Sequence, residues 1–391
     1  MPMNRRDLFR LAGAGAGSLL LAGCAAKAQT AKDAASLEGA FTVPPFVEPT
    51  AENPLKLCFN ENLLGMSPRA QKAAMQAIGQ ASYYPFAEAE QMRAACARFM
   101  GGKPENIMLS HGSAESIRAS IESHLTPDTV LFVPALTYSD GEDTARKNNV
   151  KVVKVPMGPN WSIDVAAMRK AVAAHKGRSI VYFVNPNNPT SSIADTEALH
   201  AWIRSRPKNT FFVIDEAYVE YVTDPSFVSC KVLVDQGFDN LCVLKTFSKI
   251  FAMAGLRLGF TYAVPSVIES VRKQVAYDVM LNIVAIKAAL AEIDDTVFIE
   301  TSRNENTKAR RILTDTLDDL GIEYLKGETN FAFMNLKAPL APFVNRMRER
   351  HILVGRPFPP ADQWCRISLG TADCMAYFCE ALRDFRKNGW V

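Results

Sequence analysis

A lysine with two hydroxyl neighbours and a downstream arginine forms the first group of residues that could carry out chemistry. Lys249 follows Thr246 and Ser248 in the segment LKTFSKIFAMAGLRLGF, and Arg257 comes shortly before the end of that segment. Hydroxyl and guanidinium groups are typical ligands of a phosphate. A lysine amine whose pKa is lowered by burial and by a nearby cation can form a Schiff base with an aldehyde. The segment is therefore a candidate for covalent chemistry beside a phosphate-binding site.

Three further polar clusters lie at the ends of apolar runs. Asp215 closes the run FFVID, Asn188 belongs to the segment NPNNPT, and Gly112-Ser113 opens a helical segment after NIMLSH. In an open α/β sheet, ligands bind at the carboxyl ends of the strands, where such clusters converge. The N–H groups at a helix start bind phosphate, and a buried aspartate needs a partner such as a protonated pyridine nitrogen. A phosphate, a pyridine nitrogen and an aldehyde together predict pyridoxal phosphate as the cofactor.

The elements that must position these clusters alternate along the chain. Six apolar runs predict strands at 129–135, 150–156, 179–186, 210–216, 241–246 and 258–264. Most of them are continuously apolar, which is typical of strands that are buried on both faces. Helical segments lie between them at 113–125, 139–149, 164–175 and 195–205. This alternation predicts an α/β fold with a mostly parallel sheet.

The C-terminal part of the chain has a different pattern. A long helical region is followed by strand-like and helical segments in the order 282–320, 329–336, 340–350, 352–355, 365–371 and a final helix from about 373. This pattern predicts a smaller α+β domain at 281–391. The large cofactor-binding domain is predicted mainly at 55–280, with an N-terminal segment that could pack on the smaller domain.

Five sequence motifs occur in the order expected of a known family. They are FNENLLGMSP, NPNNPT, VIDEAYVEY, TFSKIFAMAGLRLGF and RISLGT. Together they closely resemble the class I/II pyridoxal-phosphate-dependent aminotransferases, and most of all the histidinol-phosphate aminotransferase branch. The resemblance covers roughly residues 55–391. It implies the aspartate aminotransferase-like fold, called fold type I, and a homodimer with shared active sites.

The resemblance also implies roles for particular residues. Lys249 would hold the cofactor as a Schiff base and shuttle a proton, Asp215 would keep the ring nitrogen protonated, and Tyr218 would bind the ring 3-oxygen together with Asn188. The other cofactor-binding residues implied are Ser113, Ala114, Tyr138, Thr246, Ser248, Arg257 and, reaching into the neighbouring subunit, Tyr84. The substrate-binding residues implied are Arg366, Arg356 and Asn62. The implied substrates are an amino acid, or an amino-alcohol phosphate, and a 2-oxo acid.

Several positions depart from the family's usual pattern. Leu63 and Leu64 stand where Pro-Tyr is common, which removes a tyrosine hydroxyl near the substrate and argues against histidinol phosphate itself. Ser191 replaces the usual glycine after NNPT and is expected to stiffen that turn. The loop around Arg356 also differs, so this arginine is either a second substrate cation or a displaced surface residue. Tyr83 is an alternative to Tyr84 as the phosphate ligand.

The sequence leaves three functions open. An aminotransferase that works through a Schiff base on Lys249 is the leading hypothesis. A pyridoxal-phosphate-dependent decarboxylase, lyase or racemase could use the same fold and the same cofactor site. A non-catalytic exported binding lipoprotein is disfavoured, because Lys249 and Asp215 are both present.

The overall composition is that of a soluble globular protein. The chain has 391 residues, of which 48% are hydrophobic, and a net charge of +3. A chain of this length usually forms about two domains. The small charge and the lack of a basic stripe give no indication of nucleic-acid binding. The eight cysteines and five histidines show no metal-binding pattern, so free thiols and no metal site are predicted.

The first thirty residues (1–30) predict an export signal. Arg5-Arg6 is followed by an apolar stretch that is too short to span a bilayer, and the combination resembles a twin-arginine signal. The sequence Leu-Ala-Gly-Cys that ends at Cys24 resembles a lipobox, although an ordinary cleaved signal is the alternative. The predicted location is the periplasm, with membrane attachment only through a possible lipid on Cys24. Residues 31–54 predict a linker or N-terminal arm.

Overall fold

Strands and helices alternate in the structure as they do in the sequence pattern. The computed structural model of the protein describes residues 41–391. Its strands are β1 (Leu55–Leu57), β2 (Ile107–Ser110), β3 (Val130–Pro134), β4 (Lys151–Val155), β5 (Ser179–Val184), β6 (Thr210–Asp215), β7 (Leu241–Thr246), β8 (Gly259–Tyr262), β9 (Phe331–Asn335), β10 (Ile352–Val354) and β11 (Trp364–Ser368). Its helices are α1 (Pro68–Ala77), α2 (Phe86–Met100), α3 (Ser113–Glu122), α4 (Asp140–Lys147), α5 (Val165–Ala173), α6 (Thr196–Arg204), α7 (Lys231–Asp235), α8 (Pro265–Arg272), α9 (Ile283–Glu292), α10 (Thr296–Leu320), α11 (Leu340–Glu349) and α12 (Ala372–Lys387). The predicted strands and helices are confirmed, and β1, β2, α1, α2, α7 and α8 lie outside the predicted segments.

Seven strands form the central sheet in the order β2-β8-β7-β6-β5-β3-β4. Strand β8 is reversed and pairs antiparallel with β2 and β7, while the other pairs are parallel, so the prediction of a mostly parallel sheet is confirmed. Strands β5, β6 and β7 are buried along their whole length, and apolar clusters lie on both faces of the sheet. The carboxyl ends of β2, β3, β5, β6 and β7 therefore lie at one edge. Because β8 is reversed, its first residue Gly259 lies at that same edge, opposite Ser110 and Thr246.

The C-terminal residues build a second group of strands and helices. Strand β9 pairs antiparallel with β11, and β1 pairs parallel with β10. The apolar faces of α10, α11 and α12 pack in a hydrophobic cluster that includes Leu313, Phe343 and Phe378. Leu57 of β1 belongs to this cluster, so an N-terminal strand packs with C-terminal residues. Residues Val43–Val391 form one compact unit.

The turn after the NNPT motif adopts a left-handed conformation at a residue that is not glycine. Ser191 has a φ of 63°, which costs about 1 kcal/mol for such a residue. Its hydroxyl lies 2.6 Å from the hydroxyl of Thr329 and accepts a hydrogen bond from the Thr329 N–H. The N–H of Glu328 donates to the Ser191 carbonyl. These hydrogen bonds offset the backbone cost and fasten the turn to the segment before β9.

The described part of the chain, residues 41–391, has no helix that is both long and apolar enough to cross a membrane. Over the same range, no group of three or more histidine, cysteine or acidic side chains could hold a metal ion. The seven cysteines of this range are unpaired. The predicted signal, 1–30 with Cys24, lies outside the described residues.

Candidate active site

A cavity of about 310 Å³ lies at the carboxyl edge of the central sheet. Most of the site residues that the sequence predicts are among its lining residues. These are Ser113, Ala114, Tyr138, Asn188, Asp215, Tyr218, Ser248, Lys249, Arg257, Arg356 and Arg366. They follow different strands in the sequence and are brought together because the strands end at one edge.

Two of the predicted residues lie near this cavity without lining it. Thr246 is buried at the end of β7, where its hydroxyl accepts a hydrogen bond from the Ser248 N–H at 3.1 Å. It therefore shapes the turn that leads to the lysine. The carboxamide of Asn62 donates to the Ile250 carbonyl and to the Ser302 hydroxyl at 2.9 and 3.1 Å. Asn62 thus fastens two distant segments, and its assignment as a substrate-binding residue stays a prediction.

The predicted phosphate ligand Tyr84 also lies outside the lining of this cavity. Its side chain is 72% exposed, and its ring packs at 5.8 Å on the ring of Phe86. The alternative residue, Tyr83, is exposed to a similar extent, at 74%. Within one subunit, neither tyrosine contributes to the cavity.

One part of the cavity is built to receive an anion. Helix α3 begins after Gly112 without a side-chain cap, so the first N–H groups of the helix are available to a ligand. The guanidinium group of Arg257 donates to the Ser248 hydroxyl and to the Ala254 carbonyl at 3.3 and 2.9 Å. Two glycines permit this close approach. A Cβ atom on Gly259 would lie 2.8 Å from the Ser113 nitrogen, and one on Gly112 would overlap the Arg257 guanidinium.

Replacement of Gly112 by alanine is expected to weaken cofactor binding by about tenfold to a hundredfold. Gly112 has a φ of 81°, which alanine rarely adopts, and the added methyl group would displace the Arg257 guanidinium. Loss of one hydrogen bond to a charged phosphate costs about 1.5–3 kcal/mol. The measurement is the dissociation constant of pyridoxal phosphate from a titration of its absorbance. Gly255→Ala is the matched control, because a Cβ atom there meets no atom within 4 Å. Equal affinity of both variants would contradict the assignment of the anion site.

A buried carboxylate lies elsewhere in the cavity wall. Asp215 ends β6 and is only 3% exposed. Its side chain accepts hydrogen bonds from the Ala217 N–H at 3.1 Å and from the Tyr182 hydroxyl at 3.3 Å. Burial raises the pKa of Asp215 to about 6, and the hydrogen bonds from Ala217 and Tyr182 oppose this rise, as does the charge of Lys249 to a smaller extent. A carboxylate in such a position is stabilised by a cationic ligand, for which a protonated pyridine nitrogen is suitable.

The hydroxyl of Tyr218 is oriented by two asparagines. It accepts hydrogen bonds from the amide groups of Asn60 and Asn188 at 3.2 and 3.4 Å. The oxygen of the Asn188 amide accepts from Arg366, and that of Asn60 accepts from Ser368, so both amide orientations are determined by their partners. Because both acceptor positions of the hydroxyl are used, its proton is free to be donated into the cavity. An oxygen anion on a bound ring would accept it.

The Lys249 amine is held by backbone oxygens. It donates to the Asn60 carbonyl at 3.2 Å and to the Phe59 carbonyl at 3.5 Å, and it lies 5.5 Å from the centre of the Tyr218 ring. The amine therefore lies in the cavity with neutral partners, where its Nζ atom can reach a carbonyl carbon of a bound ligand.

Arg366 is a buried cation whose hydrogen-bond partners are neutral. It is 9% exposed and donates to the Asn188 side chain and to the Cys58 carbonyl, each at 2.7 Å. Its Nε atom has no partner within residues 41–391. Burial lowers the pKa of this guanidinium, and the nearby positive charge of Arg356 adds to the effect. Both arginines lie against the Phe358 ring, at 5.0 and 4.6 Å from its centre. This arrangement favours an anionic ligand.

Sequence reasoning missed a further group of residues at the cavity. The additional lining residues are Phe59, Asn60, Thr137, Val184, Ala217, Ala254 and Phe358. Tyr182 was also missed, because it occupies a continuously buried strand and reads as a core residue. Asn60 could have been predicted as a site residue, since it belongs to the FNEN motif. Its left-handed backbone, with a φ of 57°, cannot be read from the sequence.

The lining residues fit pyridoxal phosphate. An uncapped helix start with a guanidinium group suits the phosphate, and Asp215 suits a protonated ring nitrogen. The Tyr218 hydroxyl suits the ring oxygen, and the Lys249 amine suits the aldehyde. These residues would hold the cofactor and leave the Arg366 guanidinium for the substrate.

Known proteins that are similar to this chain agree with that fit. The family model for aminotransferase class I and II matches residues 52–382. Histidinol-phosphate aminotransferase of Granulibacter bethesdensis is 33% identical over 342 residues, which cover 86% of this chain and 90% of that protein. The enzyme of the same name from Moorella thermoacetica is 31% identical, with coverages of 84% and 85%.

Solved structures give the same result. A protein from Erwinia carotovora atroseptica, assigned provisionally as a histidinol-phosphate aminotransferase, is 44% identical with a TM-score of 0.87. The match covers 89% of this chain and all of that one. The Sinorhizobium meliloti histidinol-phosphate aminotransferase, solved with pyridoxal-5'-phosphate, is 23% identical with a TM-score of 0.79, covers 88% of this chain and 96% of that one, and shows the shared fold. The chain therefore belongs to the class I and II aminotransferases and is a pyridoxal-phosphate-dependent transaminase.

Proposed function

We propose that this transaminase exchanges an amino group between a 2-amino acid and a 2-oxo acid, and that Arg366 binds the carboxylate of each. The observation that carries the proposal is the buried Arg366 guanidinium, which lines the same cavity as the Lys249 amine. Its Nε atom has no partner within residues 41–391, and its hydrogen-bond acceptors are neutral. A carboxylate pairs with a guanidinium group through two parallel hydrogen bonds and would supply the missing charge.

The residues around the cofactor have separate tasks in this proposal. Bound pyridoxal phosphate supplies the aldehyde that receives the amino group and a ring that withdraws electrons. The Lys249 amine would anchor the cofactor and would take the proton from the substrate Cα atom. The Asp215 carboxylate keeps the proton on the ring nitrogen. Tyr218, oriented by Asn60 and Asn188, donates a hydrogen bond to the ring oxygen.

Histidinol phosphate is the second candidate substrate. The relatives from Moorella thermoacetica and Granulibacter bethesdensis are named histidinol-phosphate aminotransferase, which favours this candidate. The side chains at the two positions that follow Asn-Glu-Asn argue for a 2-amino acid instead. Leu64 is 6% exposed, and Leu63 packs against the C-terminal hydrophobic cluster, so neither position offers a hydroxyl to a phosphate.

The absorbance of the bound cofactor distinguishes these candidates. Single donors are added to the holoenzyme, and a 2-oxo acid is added afterwards. We expect one or more 2-amino acids to convert the cofactor to its amine form and a 2-oxo acid to restore the original absorbance. Conversion by histidinol phosphate alone would replace the first candidate by the second. Consumption of a donor without any need for an acceptor would contradict transamination and support a lyase or racemase.

We further propose that the enzyme is a homodimer in which Tyr84 completes the phosphate site of the neighbouring subunit. The proposal is supported by the position of this tyrosine, which is 72% exposed and outside the cavity of its own subunit. Exposed apolar side chains lie close to it in the sequence and would be covered in a dimer. They are Met75, Ile78, Tyr83 and Phe86.

Replacement of Tyr84 by phenylalanine is expected to raise the dissociation constant of pyridoxal phosphate by about tenfold to a hundredfold. The change removes one hydroxyl that would donate to a charged phosphate, which is worth about 1.5–3 kcal/mol. Tyr83→Phe is the control and should bind the cofactor like the unchanged enzyme. A larger effect at Tyr83 than at Tyr84 would assign the role to the other tyrosine. Sedimentation of both variants as dimers shows that the subunit contact itself is intact.

We also propose that the chain is exported by the twin-arginine route and anchored through Cys24. Support comes from the sequence alone, namely Arg5-Arg6 and the motif that ends in Cys24. Cell fractionation of a double lysine variant at Arg5 and Arg6 tests export, which requires the arginine pair. Metabolic labelling with a radioactive fatty acid tests the anchor, which Cys24→Ala should abolish. Retention of the unchanged chain in the cytoplasm would contradict the proposal.

A further inference from the structure

A second cavity, of about 430 Å³, adjoins the proposed substrate site. It shares three lining residues with the first cavity, namely Phe59, Arg356 and Arg366. Two of these are the predicted substrate cations. A substrate that is held by Arg366 therefore lies at the boundary of the two cavities.

The wall of the second cavity is largely apolar. One side is a face of helix α11, where residues spaced three or four apart line the cavity. These are Leu340, Ala341, Val344, Asn345 and Arg348. The rest of the wall comes from Cys58, Val354, Gly355 and Pro357. Phe59 stands between the two cavities with 66% of its side chain exposed, so its ring is available to an apolar ligand.

The charged groups of this cavity are all cations. Arg348 donates to the Asn345 side chain at 3.4 Å, and Arg356 donates to the Pro357 carbonyl at 3.2 Å. Both acceptors are neutral, as are those of Arg366. The lining contains no aspartate or glutamate. Within residues 41–391 these guanidinium groups have no acidic partner. An apolar wall with such cations is complementary to a ligand that is apolar along its length and anionic at its end.

We propose that the second cavity binds the substrate side chain, an inference that rests on the proposed 2-amino acid substrate. The cavity would select for 2-amino acids with a long apolar side chain that ends in a carboxylate or phosphate. The amino acid carboxylate pairs with Arg366, the apolar part of the side chain passes Phe59 and lies along α11, and the terminal anion pairs with Arg348. The cavity volume is in the range of sites for small molecules.

Four donors test the proposal with the holoenzyme. Alanine is too short to enter the cavity, norleucine is long and neutral, 2-aminoadipate ends in a carboxylate, and 2-amino-5-phosphonopentanoate ends in a phosphonate. We expect kcat/KM to rise from alanine to norleucine and to be at least about tenfold higher for an anionic donor than for norleucine, as expected from one charge-assisted contact. The two anionic donors decide between the carboxylate and the phosphate-like terminus.

Two variants assign the effect to the cavity. Arg348→Ala should lower kcat/KM for the anionic donors by about tenfold and leave that for alanine and norleucine unchanged. Ala341→Phe, which adds a ring to an exposed position of the wall, should lower kcat/KM for the three long donors but not for alanine. Arg346→Ala is the matched control on the same helix, because this guanidinium lies over the Trp390 ring at 4.4 Å and does not line the cavity.

Several outcomes would overturn the proposal. Equal kcat/KM for norleucine and the anionic donors would reject selection for an anionic end. Equal kcat/KM for alanine and norleucine, or an Arg348→Ala effect on alanine of the same size as on the anionic donors, would show that the cavity takes no part in substrate selection. An Ala341→Phe variant that loses dimer formation and slows all donors alike would assign the cavity to a contact between subunits. In each of these cases the unchanged holoenzyme still transaminates alanine, so the results reject the subsite alone. A holoenzyme that transaminates none of the four donors would reject the proposed 2-amino acid substrate and the subsite together.

Discussion

Replacement of Lys249 by alanine is expected to lower the rate of transamination by at least ~10⁴-fold. The amine is the group in the cavity that can attach the cofactor covalently, and proton transfer by a positioned base alone contributes about 10²–10⁴-fold. Its position supports both tasks, because it lies 3.2 Å from the Asn60 carbonyl and 5.5 Å from the centre of the Tyr218 ring. The measurement is kcat with the donor that the absorbance assay identifies.

A second readout separates the loss of chemistry from a loss of folding. Reduction of the holoenzyme with borohydride should fix the cofactor on the peptide that contains Lys249, and mass spectrometry should find no such modification in Lys249→Ala. Lys273→Ala is the control, since this side chain is 70% exposed and paired with Glu269 on the surface. Full activity of Lys249→Ala, or fixation of the cofactor on another lysine, would contradict the role assigned to this residue.

The main elements of the central sheet could be predicted because burial leaves a simple pattern. Strands β5, β6 and β7 are buried on both faces, so each is a continuous apolar run in the sequence. The short strand β1 carries no such signal. It has three residues, and it exists because it pairs with β10, nearly three hundred residues later in the chain.

The reversal of β8 was also beyond the sequence pattern. The pattern of apolar residues in a strand is the same whether the strand runs parallel or antiparallel to its neighbours. The direction of β8 therefore depends on the connections that the chain makes. The reversal has a chemical consequence, because it brings the start of β8 to the edge where the other strands end. Arg257, which precedes the strand, is thereby placed beside Ser248.

Asn60 and Asn62 show where prediction of the site reached its limit. Both belong to the FNEN motif, and the resemblance implied that Asn62 faces the substrate. The left-handed backbone at Asn60 turns the chain so that its amide reaches Tyr218, while the Asn62 amide reaches Ser302. These partners are separated from the motif by more than 150 residues, and a local pattern contains no information about them.

Replacement of Asp215 by asparagine is expected to lower kcat by about 10²–10⁴-fold without loss of the fold. The variant keeps the size of the side chain but removes the charge that would hold the proton on the ring nitrogen. Loss of one partner of a buried ion pair costs about 3–5 kcal/mol, which corresponds to this change in rate. The measurement is kcat together with the absorbance of the bound cofactor, which should shift because the ring nitrogen loses its proton. Unchanged kcat would contradict the pairing.

The same variant should change the pH dependence of stability in the cofactor-free protein. Burial raises the pKa of Asp215 from 3.8 to about 6, so the fold favours the neutral carboxyl group. This contribution to the free energy of unfolding is fully present below about pH 4 and is lost as the pH rises through 6, by about 3 kcal/mol in total. Asp215→Asn has no such group, so at pH 7 its cofactor-free form should be the more stable in urea. With cofactor bound the order should reverse, because the ionised carboxylate then has a cationic partner. The same order in both states would show that Asp215 does not pair with the cofactor.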